Sequence, residues 1–169
     1  TGDVWFSVTE TGGLAAVLRG EDRMMVMGGN PEGGAAPDTW YTLALTYNAE
    51  NNDLIFSVDG ATQAGDTLES IVDDSNNDHS FYLGGLPARD DAGIGELYKE
   101  ADVTIGNLTW FSRALSYEEI NSYIGLIDSQ DEDLLFATDI GANGIDDASG
   151  NGRSGAVHNS PEFEEKSLN

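Results

Sequence analysis

Cysteine is missing from the 169 residues, so no disulfide holds this fold and no thiol is on hand as nucleophile or metal ligand. An oxidising compartment is neither required nor excluded. Basic residues are nearly as scarce. Lys+Arg number 7 against 31 Asp+Glu, a formal net charge of −24. A chain so negative is repelled by nucleic acid and by anionic membrane surfaces, so neither is expected as a partner. It suits binding of cations, or a salty habitat. Long apolar runs are absent too. No stretch approaches the length of a membrane span, so membrane insertion is not expected, and none of these residues reads as a signal peptide. The chain opens on Thr1, and the expectation is a piece of something longer.

What is present points to one domain with a core. Hydrophobic residues make up 39%, and 21 glycines mark a turn-rich globular chain rather than a disordered one. The organising stretch is residues 38–60, DTWYTLALTYNAENNDLIFSVDG. Tyr41, Leu43, Leu45 and Tyr47 occupy alternate positions, and so do Leu54, Phe56 and Val58. Period two predicts two strands, each with one apolar face. A polar connection, residues 48–53, separates them, and Asp59-Gly60 predicts a tight turn after the second. Two strands buried on one side need a second layer.

Three motifs carry a resemblance. Trp40 opens a strand reading LALTY, followed by a strand ending in V-D-G. Residues 105–120 read IGNLTWFSRALSYEEI, and residues 146–155 read DDASGNGRSG. Together they resemble the laminin-G-like and pentraxin-like branch of the concanavalin A-like lectin/glucanase superfamily. The resemblance implies an all-β, jelly-roll β-sandwich of antiparallel sheets with one short helix. In that family the D-x-SGNG segment opens the domain and the R-A-L-S helix closes it. Here the order is reversed. A circularly permuted domain, a piece straddling two repeats, and C-terminal strands completing a neighbouring subunit's sandwich all fit. The permuted single domain is the reading preferred.

Further strands are expected at residues 4–8, 14–18, 24–27, 81–83 and 134–140, with a last short one at Ala156-Val157-His158. Met24, Met25 and Met27 read as core filler. Residues 61–79 read as polar, and residues 86–100 as a loop. Val103 and Ile105 alternate on one face, Leu108 and Trp110 on the other, which predicts a bulge at Gly106-Asn107. Ser116 and Glu119 fit a capping box that starts a helix with Tyr117, Ile120, Tyr123 and Ile124 along its apolar stripe. The expected layout is therefore a main sandwich body over residues 1–125, an acidic spacer over 126–133, completing strands over 134–159, and a mobile tail over 160–169.

Catalysis is not expected. Glucan-cleaving relatives present carboxylates at alternate positions of one strand, E-x-D-x-x-E, and no strand here carries that pattern. His79 stands without a companion, which disfavours zinc and a catalytic dyad. Calcium is the expected cofactor, because it takes six to eight oxygen ligands that acidic loops supply. The resemblance to pentraxin-like domains implies Asp90 and Asp91 as ligands. Asp146, Asp147 and Asn151 form the competing loop, where glycines let carbonyls turn inward. The acidic run 73–79 reads as a solvated loop. A sugar site needs aromatic platforms, and Tyr47, Tyr82 and Tyr98 are the surface candidates, with Trp5, Trp40 and Trp110 assigned to the core. The function expected is a non-catalytic extracellular binding or adhesion module at a cell surface, with a glycan or protein as ligand. The alternative is a filament subunit that donates strands to neighbouring copies of itself.

Overall fold

The computed structural model describes residues 4–8, 12–19, 24–29, 34–69, 85–90, 93–100, 104–122, 131–141 and 144–153. These residues are mostly β, in four antiparallel sheets. The first sheet joins β1 (Val4–Val8), β2 (Leu14–Arg19) and β3 (Met24–Gly29) in that order. The second joins β4 (Leu43–Asn48), β5 (Asp53–Val58) and β6 (Ala61–Thr67). A two-stranded ribbon pairs β7 (Gly85–Asp90) with β8 (Gly93–Glu100). The last sheet runs β11 (Gly144–Asp147), β10 (Leu134–Gly141), β9 (Thr109–Phe111), with helix α1 (Tyr117–Ser122) between β9 and β10 in sequence.

Every ladder among the described strands joins neighbours in sequence. A jelly roll is built from Greek keys, in which some neighbouring strands are not consecutive. The all-β, antiparallel expectation therefore holds at that level, without a crossed connection among the described strands.

The core lies between the first two sheets. Leu14, Ala16 and Leu18 of β2, Met27 of β3, and Leu54, Phe56 and Val58 of β5 are buried together with Leu68. Tyr41, Leu43, Leu45 and Tyr47 pack against them. The register pairs Leu43 with Val58, Leu45 with Phe56 and Tyr47 with Leu54, so the odd-parity and even-parity sets meet on one face, as alternation predicts. Asp59 and Gly60 both take positive φ, 48° and 74°, and connect Val58 to its partner Ala61 in a two-residue turn of the type that matches strand twist. The Asp59 carboxylate accepts the Thr42 N–H at 2.8 Å, fastening the turn to the start of β4. Gly60 also sits under the Asn121 side chain, which would clash with any Cβ there. Helix α1 is thereby set against the end of this hairpin.

Several expectations change. Residues 61–67 form a strand, although none of them gives an apolar alternation. A bulge places Gln63 as an extra residue between the Phe56–Ala64 and Ser57–Thr62 pairs, and its side chain lies against Gly29 of β3. Residues 86–100, expected as a loop, form most of the β7–β8 ribbon. Pro87, Gly93 and Gly95 interrupt any periodic signal there. The closing strand is short, Thr109–Phe111, and residues 104–108 precede it without strand pairing of their own. Residues 134–140 do pair beside the closing strand, within one chain, but in a sheet separate from the central hairpin. The expected strands at 81–83 and 156–158, the run 73–79 with His79, and the tail 160–169 lie outside the described residues.

Candidate functional site

Two polar knots shape the C-terminal half. The first surrounds the turn after β9. Ser116 and Glu119 form the predicted capping box: the Ser116 N–H donates to Glu119 Oε2 at 2.7 Å, and the Glu119 N–H donates to Ser116 Oγ at 3.3 Å. Arg113 then collects three carboxylates. Its guanidinium lies 2.7 Å from Glu119, 2.9 Å from Asp133 and 3.5 Å from Asp131. The acidic spacer is thus drawn back onto the turn, and Ser112 adds a hydrogen bond to Asp133 at 3.0 Å. The hydrogen bond from Arg113, with the two from Ser116, lowers the Glu119 pKa from 4.5 to about 2. The same pairing raises the Arg113 pKa, the Glu119 bond first among its causes.

The second knot is the DDASGNGR loop. Leu135 is an extra residue in β10, because Leu134 pairs with Phe111 and Phe136 with Trp110. Its carbonyl is the focus of the loop. Asn151 Nδ2 donates to it at 3.1 Å and to the Leu134 carbonyl at 3.0 Å, and the Ser149 hydroxyl and Arg153 Nη1 donate to it as well. Asp147 organises the other side. Its Oδ1 accepts from Ser149 Oγ at 2.6 Å, the Ser149 N–H at 3.0 Å and the Ala137 N–H at 3.4 Å, and its Oδ2 accepts from the Arg153 N–H at 2.9 Å. Partial burial pushes this carboxyl's pKa up, but the hydrogen bonds from Ser149, Arg153 and Ala137 outweigh it and hold the pKa at about 2. Next to the loop, buried Thr138 stitches β10 to residue 108: its Oγ1 accepts the Leu108 N–H at 2.7 Å and its own N–H donates to the Leu108 carbonyl at 2.8 Å.

The sequence-predicted ligands are placed unevenly. Asp90 ends β7 opposite Gly93, at the tip of the ribbon, and Asp91 lies outside the described residues. Asp147 and Asn151 come together through Ser149. Asp146 is exposed and alternates to the opposite face of β11, across the ladder from Asp139. Both Asp147 oxygens face N–H or O–H donors, and the Asn151 amide donates to carbonyls, so in this arrangement the two residues brace the loop. Asp146 is the exposed carboxylate of the loop. Among the described residues no group of three or more His, Asp or Glu is placed to hold a metal ion. Ser149, Arg153 and the Leu135 carbonyl were not legible as site residues. Their signal is parity: Asp147, Ser149, Asn151 and Arg153 are every second residue.

The aromatic assignment is reversed at three positions. Trp40 is 38% exposed, its six-membered ring beside the α-carbon of Gly106, and Trp110 is 42% exposed. Tyr47, expected at the surface, packs on the core and donates its hydroxyl to the Leu68 carbonyl at 3.1 Å. Trp40 lies outside β4 in a segment closed by a Tyr41–Ala36 hydrogen bond, and Trp110 sits on a three-residue edge strand. Alternation cannot see how far such positions are exposed. Tyr82 lies outside the described residues.

No protein-family profile matches the chain, and no curated protein is significantly similar to it. A crystal structure of an S-layer domain-containing protein (residues 221–444) from Clostridium thermocellum ATCC 27405 aligns with a TM-score of 0.43 and 16% identity, over 70% of this chain and 54% of that one. The chain spans about half the length of that structure. A likeness this slight carries no weight for fold or function. Among the described residues no helix is long and apolar enough to cross a membrane.

Proposed function

We propose that this chain is a non-catalytic binding or adhesion module of a larger extracellular, cell-surface protein, recognising a glycan or protein ligand and stabilised by calcium. The observation that carries the reading is the pair of exposed indoles, Trp40 and Trp110, on a scaffold whose loops are braced by their own polar groups. An exposed aromatic ring beside polar side chains can stack on the C–H face of a sugar or an apolar side chain of a protein. The non-catalytic part rests on the sequence, in which no strand carries the alternating E-x-D-x-x-E carboxylates of glucan-cleaving relatives. Support for calcium comes from charge. The chain carries 31 Asp+Glu against 7 Lys+Arg, and Asp146 is an exposed carboxylate. Asp146, with carbonyls of the loop, would be the ligand set.

Glycan-array binding of the intact chain, beside Trp40→Ala and Trp110→Ala, tests the recognition reading. Loss of binding in either variant with unchanged melting supports it, and binding that survives both removals rejects it. Melting in calcium and in chelator tests the cation. Binding to the native state alone raises the midpoint by mass action, so coincident curves rule structural calcium out.

A further inference from the structure

The chain carries a single Asn-x-Ser/Thr triplet with a residue other than proline in the middle, Asn107-Leu108-Thr109. In a protein delivered to the cell exterior such a triplet is the acceptor of an N-linked glycan, and the bulk of that glycan demands a reachable surface. Asn107 meets the demand. It is exposed, in the irregular segment 104–108 that leads into β9.

Its side chain also differs from the others of its kind. Among the described residues every other asparagine is engaged. Asn48 and Asn52 accept hydrogen bonds, Asn51 and Asn121 donate them, and Asn151 braces the DDASGNGR loop. The Asn107 carboxamide and the Thr109 hydroxyl make no such bond there. The segment is held nonetheless, through its neighbour. Leu108 donates its N–H to Thr138 Oγ1 at 2.7 Å and accepts the Thr138 N–H at 2.8 Å. The anchoring groups therefore belong to the middle residue of the triplet. A substituent on Asn107 Nδ2 displaces no hydrogen bond among the described residues.

From these features we infer that Asn107 is an N-glycosylation site, an inference that rests on the extracellular placement proposed above. The donor is an oligosaccharide linked through diphosphate to a lipid. Asn107 Nδ2 attacks the anomeric carbon, and the bond from that carbon to the diphosphate oxygen breaks. The diphosphate leaves with the electron pair, and the amide gives up one proton. In an extended chain residues i and i+2 lie on one side, so a transferase can hold the Thr109 hydroxyl while Asn107 enters its site. The acceptor borders the proposed recognition surface. Trp40 Cζ3 would stand 3.4 Å from a Cβ on Gly106, the residue before it. A glycan on Asn107 therefore shares its neighbourhood with one of the two exposed indoles.

Trypsin cuts after Lys99 and Arg113, releasing residues 100–113 with Asn107 as their one asparagine. In protein purified from its native cells, mass spectrometry should find this peptide heavier by a glycan, which fragmentation places on Asn107 rather than on Thr104, Thr109 or Ser112. Expressed in the same cells, Thr109→Ala should lose the glycan and Thr109→Ser should keep it, both with unchanged melting. An antibody applied to unpermeabilised cells reports the location separately. A surface-exposed chain whose 100–113 peptide is bare overturns the inference and leaves the cell-surface reading standing. A bare peptide from a chain found only inside the cell overturns both. A glycan on a hydroxyl residue, or one that persists on Asn107 in Thr109→Ala, also overturns the assignment to this triplet.

Discussion

The two halves of this chain are held by different forces. From β1 to β6 the strands share an apolar core centred on Phe56 and Leu54, both fully buried. From β9 to β11 two of the three strands are short, side-chain hydrogen bonds from Thr138 and Asn151 tie β10 to its neighbours, and Arg113 and Arg153 both fasten the entry to β10. A small sheet without much to bury can still be specified by polar groups, provided each donor meets an acceptor. Dispersion and water exclusion hold the first half whatever the pH, whereas the second depends on ionised carboxylates.

Four substitutions measure that contrast. Phe56→Ala should have the largest effect, about 3–5 kcal/mol by chemical denaturation, because it removes the largest fully buried side chain and leaves a cavity. Asp147→Asn should cost about 2 kcal/mol near neutral pH, since an amide nitrogen cannot accept the Arg153 N–H. Its loss should also depend on pH. The Asp147 pKa falls from 3.8 to about 2 on folding, so its contribution is complete above about 4 and is lost as pH drops toward 2. Wild type and variant should converge across that window, and a difference that persists at pH 2 would break the assignment. Thr138→Val should cost about 1–2 kcal/mol by stranding the Leu108 N–H, with hydrogen exchange at Leu108 as the local readout. Arg113→Gln should be the mildest and should respond to salt. Its ion pairs are exposed, so the drop in melting temperature seen at low salt should shrink as salt rises.

The apolar half was largely legible. Period two in residues 41–47 and 54–58 gave the hairpin, its register and its buried face, because a single covered side imprints alternation on sequence. The capping box at Ser116 and Glu119 was readable for a related reason: both partners are three residues apart. Strand β6 was missed because an exposed edge needs no apolar pattern, and β7–β8 because proline and glycine mask theirs. Trp40 and Trp110 were assigned to the core because they fall on predicted strands, and exposure depends on which layer ends where. The role of Leu135 was invisible, since its carbonyl, not its side chain, is the focus.

The sequential pairing of every described strand has a consequence for how the chain folds. Every ladder but β9–β10, whose connection spans residues 112–133, closes a short connection, so little chain entropy is lost before those contacts form. All-β proteins are usually slow to fold because their pairings are distant in sequence. This one should acquire its strands as a series of local hairpins, with the Asp59-Gly60 turn closing within microseconds. A chain built so can begin folding as it leaves the ribosome, hairpin by hairpin, and stopped-flow refolding should be fast for its strand content.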